Sequence, residues 1–249
     1  MRVVAILAFG LFVAACTGAA SPGSTAPAPS ATLVVPTPAP TVAASPTEAP
    51  EPARPFPGAS QAAEPLPPDR YAATEFTPPF ELVLEQDGWS GGAAPGVVAL
   101  TLDNGYYTRL LFGRFEGTVM PNNCTDERAI IGGSPDALVD WLAANPALSL
   151  IETPVSVGGL DGVRLDVHAA VKRPCTADPG KGAPEFLWVD PGPYGAIALD
   201  TGERLVAYLL DDGEATVTIT FATMERALDP FVAEAEPLLE GVTFGSAGS

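Results

Sequence analysis

The uneven distribution of proline most constrains what this chain can fold into. Of its 28 prolines, 14 lie between Ser21 and Arg70, in a stretch that otherwise consists mainly of Ala, Ser and Thr. This stretch has no helical or strand periodicity and too little apolar bulk to form a core. We therefore predict a disordered linker at residues 16–70, with polyproline II character and a reach of roughly 150 Å when fully extended.

The N terminus has the anatomy of an export signal. Arg2 precedes an apolar segment at residues 3–13, which is too short to span a bilayer as a permanent helix. The following VAAC sequence resembles the lipobox of bacterial lipoproteins, in which the chain is cut before a cysteine that takes a diacylglycerol. This resemblance implies a signal peptide at residues 1–15 and a lipidated Cys16 on the extracytoplasmic face of the cell membrane. The alternatives are an ordinary secretory signal with a chance cysteine and a weak membrane helix.

Residues 71–249 have a length that suits one globular domain. They contain 26 acidic and 9 basic residues, which gives −17 of the chain's net charge of −18. Nucleic acid and anionic lipid surfaces would repel such a domain, so the charge argues against both as partners, and no nucleic-acid partner is expected.

Alternating apolar residues and tight-turn dipeptides indicate a sheet. FELVLEQDGW alternates and then turns, and GVVALTLDNGYYTRLLFGRF predicts two strands joined by a hairpin turn at Asn104-Gly105. Further strands are predicted in DGVRLDVHAAV, EFLWVD, GAIALD, RLVAYLL and ATVTITFA. Residues 205–210 are apolar on both faces, which predicts a central strand. In the last strand Val217, Ile219 and Phe221 alternate with threonines, which predicts one solvent-exposed face.

Two segments predict amphipathic helices. Ser134-Pro135 provides a cap and a proline at the first helical position, and a helical stripe follows until Asn145-Pro146. Asp229-Pro230 predicts the start of a C-terminal helix that Pro237 kinks or interrupts. The predicted fold class is α+β, a largely antiparallel β-sheet packed with two helices as a sandwich.

The order of four stretches between Phe80 and Phe244 carries a resemblance: GW, SPDALVDWLAANPAL, VSVGGLDGVRLDV and LLEGVTF. Together they resemble small anchored lipoproteins of high-GC bacteria and are similar to PsbP-like or LpqN-type sandwiches. These stretches mark a fold: a Trp after a turn, a Trp in a helix and a Gly-Gly turn. The resemblance implies an accessory or binding role on the cell envelope, and no catalytic residue is carried over from it.

His168 is the single histidine of the chain, and strand alternation places it on one face with Arg164 and Asp166. Asp166 and His168 would suit a general-base pair. However, no motif places a nucleophile, and the sequence contains no G-x-S-x-G elbow, H-E-x-x-H motif, phosphate loop or dinucleotide fingerprint. A solvated or hydrogen-bonded surface histidine is the favoured interpretation.

Two further residue sets suggest binding only weakly. Asp211, Asp212 and Glu214 surround a predicted turn, but they lack the spacing of a calcium loop, so neither a metal nor a cofactor is expected. Three tryptophans and four tyrosines could line a groove, although aromatic residues at this spacing are more often core: Trp89, Trp141, Trp188, Tyr106, Tyr107, Tyr194 and Tyr208.

Three cysteines remain to be explained. If Cys16 is lipidated, Cys124 and Cys175 are left as a pair, and export would place them where a disulfide persists. We predict this disulfide, with two free thiols as the alternative.

The leading function is a non-catalytic cell-envelope lipoprotein, held to the membrane by its lipid anchor, whose domain binds a partner protein or an amphiphilic ligand. The alternative is an extracellular hydrolase, which one histidine does not readily support. A transporter's solute receptor is a third class, and its two lobes would need nearly twice this folded length.

Overall fold

The chain divides into two units, Met1–Ala49 and Pro50–Ser249. In this computed structural model the described residues all belong to the second unit: 51–58, 64–104, 108–121, 127–171, 185–189, 196–223 and 225–245. Several residues named above lie outside the described ranges: Cys16, Cys124, Cys175, Tyr106, Tyr107 and Tyr194.

The described strands are β1 (Arg54–Pro55), β2 (Glu64–Leu66), β3 (Asp69–Ala73), β4 (Phe80–Leu84), β5 (Trp89–Ala94), β6 (Val97–Leu102), β7 (Thr108–Phe115), β8 (Thr118–Val119), β9 (Ala129–Ile130), β10 (Leu148–Val157), β11 (Leu160–Ala169), β12 (Glu185–Val189), β13 (Ala196–Leu199), β14 (Arg204–Asp211), β15 (Thr216–Thr223) and β16 (Thr243–Phe244). The helices are α1 (Pro135–Ala143) and α2 (Glu225–Ala235), and a 3-10 helix follows at Glu236–Gly241.

Eight strands form the central sheet, in the order β10-β11-β14-β15-β7-β6-β5-β2. Every neighbouring pair in it is antiparallel. A second sheet, β1-β3-β4-β16, contains one parallel pair, β1 with β3, and β8–β9 and β12–β13 form two-stranded sheets. The predicted α+β class, a largely antiparallel sheet with two helices, is therefore confirmed.

Both faces of the central sheet are buried. On one face the second sheet, α2 and the 3-10 helix enclose an aromatic-rich core that includes Phe80 and Phe112, whose rings stack with centroids 4.8 Å apart. On the other face α1 and the β12–β13 hairpin cover a second core, which contains Leu142 and Trp188. The sandwich thus has three layers, with the central sheet in the middle.

The predicted solvent-exposed face of β15 is wrong. Thr216, Thr218 and Thr220 are at most 1% exposed. β15 pairs with β14 on one side and β7 on the other, so it lies inside a sheet whose second face is covered as well. Alternation of threonine with apolar residues shows that the two faces differ, but it does not show which face meets water.

The two helix predictions had different outcomes. α1 begins at Pro135, and the Ser134 side chain accepts a hydrogen bond from the Ala137 backbone N–H, as predicted. α2 begins at Glu225 rather than at Asp229-Pro230, so that prediction is wrong. Burial of Ala227 and Leu228 against the core favours the extra turn and outweighs the one backbone bond that Pro230 cannot make.

The folded structure begins upstream of Tyr71, inside the stretch interpreted as linker. β1 and β2 lie at residues 54–55 and 64–66, and Phe56 and Leu66 are 8% and 3% exposed. The Phe56 ring stacks on Tyr71 with centroids 5.1 Å apart. Apolar residues spaced among prolines therefore contribute to the core, although the composition alone indicated disorder.

The turn between β10 and β11 gives a matched pair of glycine substitutions. Gly158 and Gly159 have φ angles of 60° and 89°, as a type I′ turn requires. A Cβ on Gly158 would lie 2.7 Å from Cδ2 of Phe244, whereas a Cβ on Gly159 would meet nothing within 4 Å. We expect Gly159→Ala to lower the free energy of unfolding by about 1–2 kcal/mol and Gly158→Ala by about 2 kcal/mol more. Urea denaturation measures both, and equal losses would contradict the packing of Phe244 on this turn.

Candidate binding surface

Pro237 sets the geometry of a polar cluster above the central sheet. Because proline has no backbone N–H, the α-helical pattern ends at Ala235, and the 3-10 helix begins at Glu236. This break brings the Glu236 side chain over β11 and β14. Arg164 and Tyr208 lie opposite each other in the register of those two strands and meet it there.

Glu236 is bound from two sides. The Tyr208 hydroxyl donates a hydrogen bond to Oε1 of Glu236. Arg164 Nε lies 3.2 Å from the same oxygen as an ion pair, although its N–H is not directed at the oxygen for a hydrogen bond. The guanidinium and the phenol therefore both contact the Glu236 carboxylate, although 41% of that side chain is exposed.

Burial is the main cause that raises the pKa of the Tyr208 phenol well above its usual range, and the hydrogen bond to Glu236 adds to this effect. A phenol is a hydrogen-bond donor at neutral pH in any case, and the raised pKa keeps Tyr208 protonated into the alkaline range. This side chain anchors the start of the 3-10 helix to the sheet.

An open cavity of about 350 Å³ lies beside this cluster, and we call it the β10 groove. Its walls come from the end of β10, from β14, from α2 and from the 3-10 helix: Val155, Ser156, Val157, Tyr208, Ala233, Glu236, Pro237, Leu239 and Glu240. The lining is mainly apolar, with carboxylates in the 3-10 helix wall. Such a groove suits an apolar group on a larger ligand.

A second open cavity, about 490 Å³, adjoins the same 3-10 helix, and we call it the β4 groove. It is lined by Val83, Glu85, Gln86, Glu234, Pro237, Leu238, Glu240 and Gly241. Pro237 and Glu240 line both grooves. Among the described residues that line the two grooves there is no lysine or arginine, so the surface is apolar with an acidic rim.

Asp166 and His168, which were weighed as a general-base pair and not favoured as one, have other surroundings in the fold. Both carboxylate oxygens of Asp166 accept hydrogen bonds from Arg204, at 2.8 and 3.3 Å. Arg204 also pairs with Asp229 of α2, and the contact with Asp166 is the first cause that raises the pKa of the guanidinium. Asp166 thus links the sheet to α2 through Arg204. His168 lies opposite Arg204 in the strand register, at the end of this ion-pair network.

The carboxylates around the β14–β15 turn are also occupied. Asp212 Oδ1 accepts the backbone N–H groups of Glu214 and Ala215, and Asp212 Oδ2 pairs with Arg114 at 2.7 Å. Asp211 Oδ1 accepts the N–H of Gly213. Within the described ranges no group of three or more metal-ligating side chains is present. The geometry assigns these aspartates to the turn.

The aromatic residues divide between core and groove. Trp89 and Trp188 are 2% and 0% exposed, which confirms the core interpretation, and Trp141 packs against the second core. Trp89 also lines a further open cavity of about 460 Å³ beside β2. Tyr208 is the described aromatic residue that lines the β10 groove.

Glu236, Glu240 and the role of Arg164 were not predicted from the sequence. A signal for the first was present: an acidic residue directly before Pro237, at the point where the helix had to end. A tyrosine inside the otherwise apolar run at residues 205–210 was a second signal, because a buried hydroxyl requires a partner. No local pattern connects these two positions.

Alkaline pH tests the cluster. The pKa of Tyr208 is raised in the folded state. Its contribution to the free energy of unfolding is therefore fully present below pH 10 and is lost as the pH rises toward the folded-state pKa. Above pH 10 the unfolded chain therefore releases a proton that the folded protein keeps. The free energy of unfolding should therefore fall as the pH rises above 10. We expect this slope to be shallower in Tyr208→Phe than in the unmutated protein, by about 1.4 kcal/mol per pH unit. Urea denaturation across this range measures the slope, and an unchanged slope would contradict the buried phenol.

The chain was compared with protein-family models, curated proteins and solved structures. No protein-family model and no curated protein matches the chain. Among solved structures, the solution structure of cyanobacterial PsbP (CyanoP) from Synechocystis sp. PCC 6803 is similar at 15% identity and a TM-score of 0.36. That match covers 75% of this chain and 96% of the other. A TM-score of this size carries no conclusion about shared function.

In the part of the chain that the structure describes, no helix is long and apolar enough to cross a membrane.

Proposed function

We propose that this protein is a non-catalytic lipoprotein of the cell envelope whose sandwich domain binds a partner protein. The lipid on Cys16 holds it at the extracytoplasmic face of the membrane, and the proline-rich segment carries the domain away from the lipid surface. The binding surface consists of the β10 and β4 grooves on the two sides of the 3-10 helix.

The two grooves are the observation that carries this proposal. Each combines apolar side chains with an acidic rim, and both are open at the surface. Val83 in the β4 groove is 37% exposed, on the outward face of a strand whose alternate residues are buried, so it offers the groove an apolar contact. Apolar positions within a polar rim are typical of protein-binding surfaces, in which a few inserted side chains supply most of the energy.

A partner protein suits these cavities better than a small enclosed ligand. The two cores fill both faces of the central sheet, and the largest aromatic residues, Trp89 and Trp188, are packed inside them. The described grooves are open at the surface. An amphiphilic small molecule is the competing occupant, and the test below separates it from a protein.

The non-catalytic part of the proposal is supported by the use of the polar side chains. Asp166 is held by Arg204, Asp212 by Arg114, and Glu236 by Arg164 and Tyr208. Each of these carboxylates has a structural partner. A hydrolase would need a base left available to a nucleophile.

The test fills one groove with a tryptophan. Ala233 is exposed on α2 and lines the β10 groove, whereas Ala143 is an exposed alanine at the end of α1 on the opposite face of the sheet. After chemical crosslinking of the full-length protein in its native cells, we expect Ala233→Trp to reduce a discrete protein adduct at least about fivefold, because the anchoring side chain is displaced. Ala143→Trp is the matched control and should leave the adduct unchanged.

Equal adducts in both variants would contradict the groove as the binding surface. A co-purified amphiphile that Ala233→Trp displaces, with no protein adduct, would instead show a small-molecule occupant. Lipidation of Cys16 is tested separately by metabolic labelling with a fatty-acid analogue. Absence of label in the unmutated protein would contradict the anchor.

A further inference from the structure

We propose that the segment docking on the 3-10 helix is basic and carries two apolar side chains, one for each groove. This inference rests on the proposed function and specifies the chemistry of the partner. It concerns only the β10 groove, the β4 groove and the 3-10 helix between them.

The geometry favours two anchors rather than one. The grooves lie on opposite sides of the six-residue 3-10 helix and share Pro237 and Glu240. Leu239 contributes to the β10 groove and Leu238 to the β4 groove, because neighbouring residues of this helix point to different sides. A segment that crosses the helix can therefore bury one apolar side chain on each side, with its backbone above Pro237.

The charges favour a basic segment. Glu85, Glu234 and Glu240 are exposed and line the β4 groove, and Glu240 also lines the β10 groove. Glu236 is excluded from this set because it already forms an ion pair with Arg164. A Lys or Arg between the two anchors would lie over Glu240, where opposite charges bring the partners together and set the register.

The same charges argue against a second copy of this chain as the occupant. Residues 71–249 carry a net charge of −17, so two copies would repel each other at these rims. The negative potential of the domain attracts a basic partner, whereas it repels a second copy of the chain. The occupant is therefore a different protein.

The experiment uses three synthetic peptides with glycine ends and a common fluorophore. The first has a Leu-Lys-Lys-Leu centre, the second replaces lysine by glutamate, and the third replaces leucine by alanine. We expect the full-length protein to bind the first peptide at least about tenfold more tightly than either of the others, measured by fluorescence anisotropy at physiological salt. Charge and apolar anchors are then both required.

Two charge variants separate a local effect from the overall acidity of the domain. Glu234→Gln with Glu240→Gln removes two rim charges, and Glu75→Gln with Glu152→Gln removes two exposed charges elsewhere. We expect the first pair to weaken binding of the Leu-Lys-Lys-Leu peptide about tenfold and the second pair to change it less than about twofold. The two variants have the same net charge.

Several outcomes would overturn the inference. They are no binding by any peptide, equal binding of the leucine and alanine peptides, and equal losses in the two charge variants. If the protein adduct in cells still depends on Ala233 while the peptides show no preference, this inference fails and the proposed function stands. If the adduct does not depend on Ala233, the proposed function itself fails.

Discussion

Replacing Asp212 by alanine should lower the free energy of unfolding by about 3–5 kcal/mol, whereas Asp211→Ala should lower it by less than about 1 kcal/mol. The Arg114 and Asp212 side chains are 11% and 6% exposed, and they meet at 2.7 Å. Removing the carboxylate takes away the shortest ion pair of a nearly buried guanidinium, which keeps the Thr77 carbonyl and the longer contacts with Glu116 and Glu214. It also leaves two backbone N–H groups of the turn without their acceptor. Asp211 is exposed and accepts one local bond, so it is the matched control.

Urea denaturation of the variants measures this difference. Arg114→Met combined with Asp212→Ala should lose less than the sum of the two single changes, because the double variant leaves no unpaired buried charge. Equal losses for Asp211→Ala and Asp212→Ala would contradict the central position of this ion pair.

Reduction of a Cys124–Cys175 disulfide should lower the free energy of unfolding by on the order of 4 kcal/mol, because the bridge closes a loop of roughly fifty residues. The pairing remains a prediction from the sequence, since both cysteines lie outside the described ranges. Cys124 lies in the sequence between β8 and β9, and Cys175 lies between β11 and β12.

Denaturation with and without reductant measures the loss, and the Cys124→Ala/Cys175→Ala variant is the control that should no longer respond to reductant. Non-reducing peptide mapping identifies the bond directly. Alkylation of both cysteines in the native protein without reductant would show that the pairing is wrong.

Local patterns were sufficient for the elements whose cause is local. Ser134 and Pro135 define the start of α1 because capping involves residues three apart, and the strand at residues 205–210 is buried on both faces as its composition predicts. Residues 105–107 of the turn between β6 and β7 lie outside the described ranges, but the two strands pair as predicted.

The failed predictions concern tertiary contacts. The threonines of β15 are buried because α1 and β12–β13 cover that face, and the covering elements lie far from β15 in the sequence. Phe56 enters the core although prolines flank it, because β3 supplies a strand for β1 to pair with. Propensity describes a segment alone, whereas burial depends on what the rest of the chain places against it.

The candidate site could be predicted only in part for the same reason. Tyr208 was included among aromatic residues that could line a groove, but its partner Glu236 lies 28 residues later in another element. The groove exists because Pro237 ends α2 at a point where the following turn lies above β11 and β14. No periodicity in the sequence reports this meeting of a helix end with two strands.

Site-specific photo-crosslinking in native cells tests whether a partner protein binds at the β10 groove. A photoreactive residue at Ser156 lies in the β10 groove, whereas the same residue at Ser149 lies on the same strand, exposed, outside the lining of that groove. A third position, Ile130, is 84% exposed on β9 and serves as an exposed apolar position that lines neither groove. Our account predicts a discrete protein adduct from Ser156 that is absent from Ser149 and from Ile130. Adducts of equal yield at all three positions, or an adduct from Ile130 alone, would contradict it.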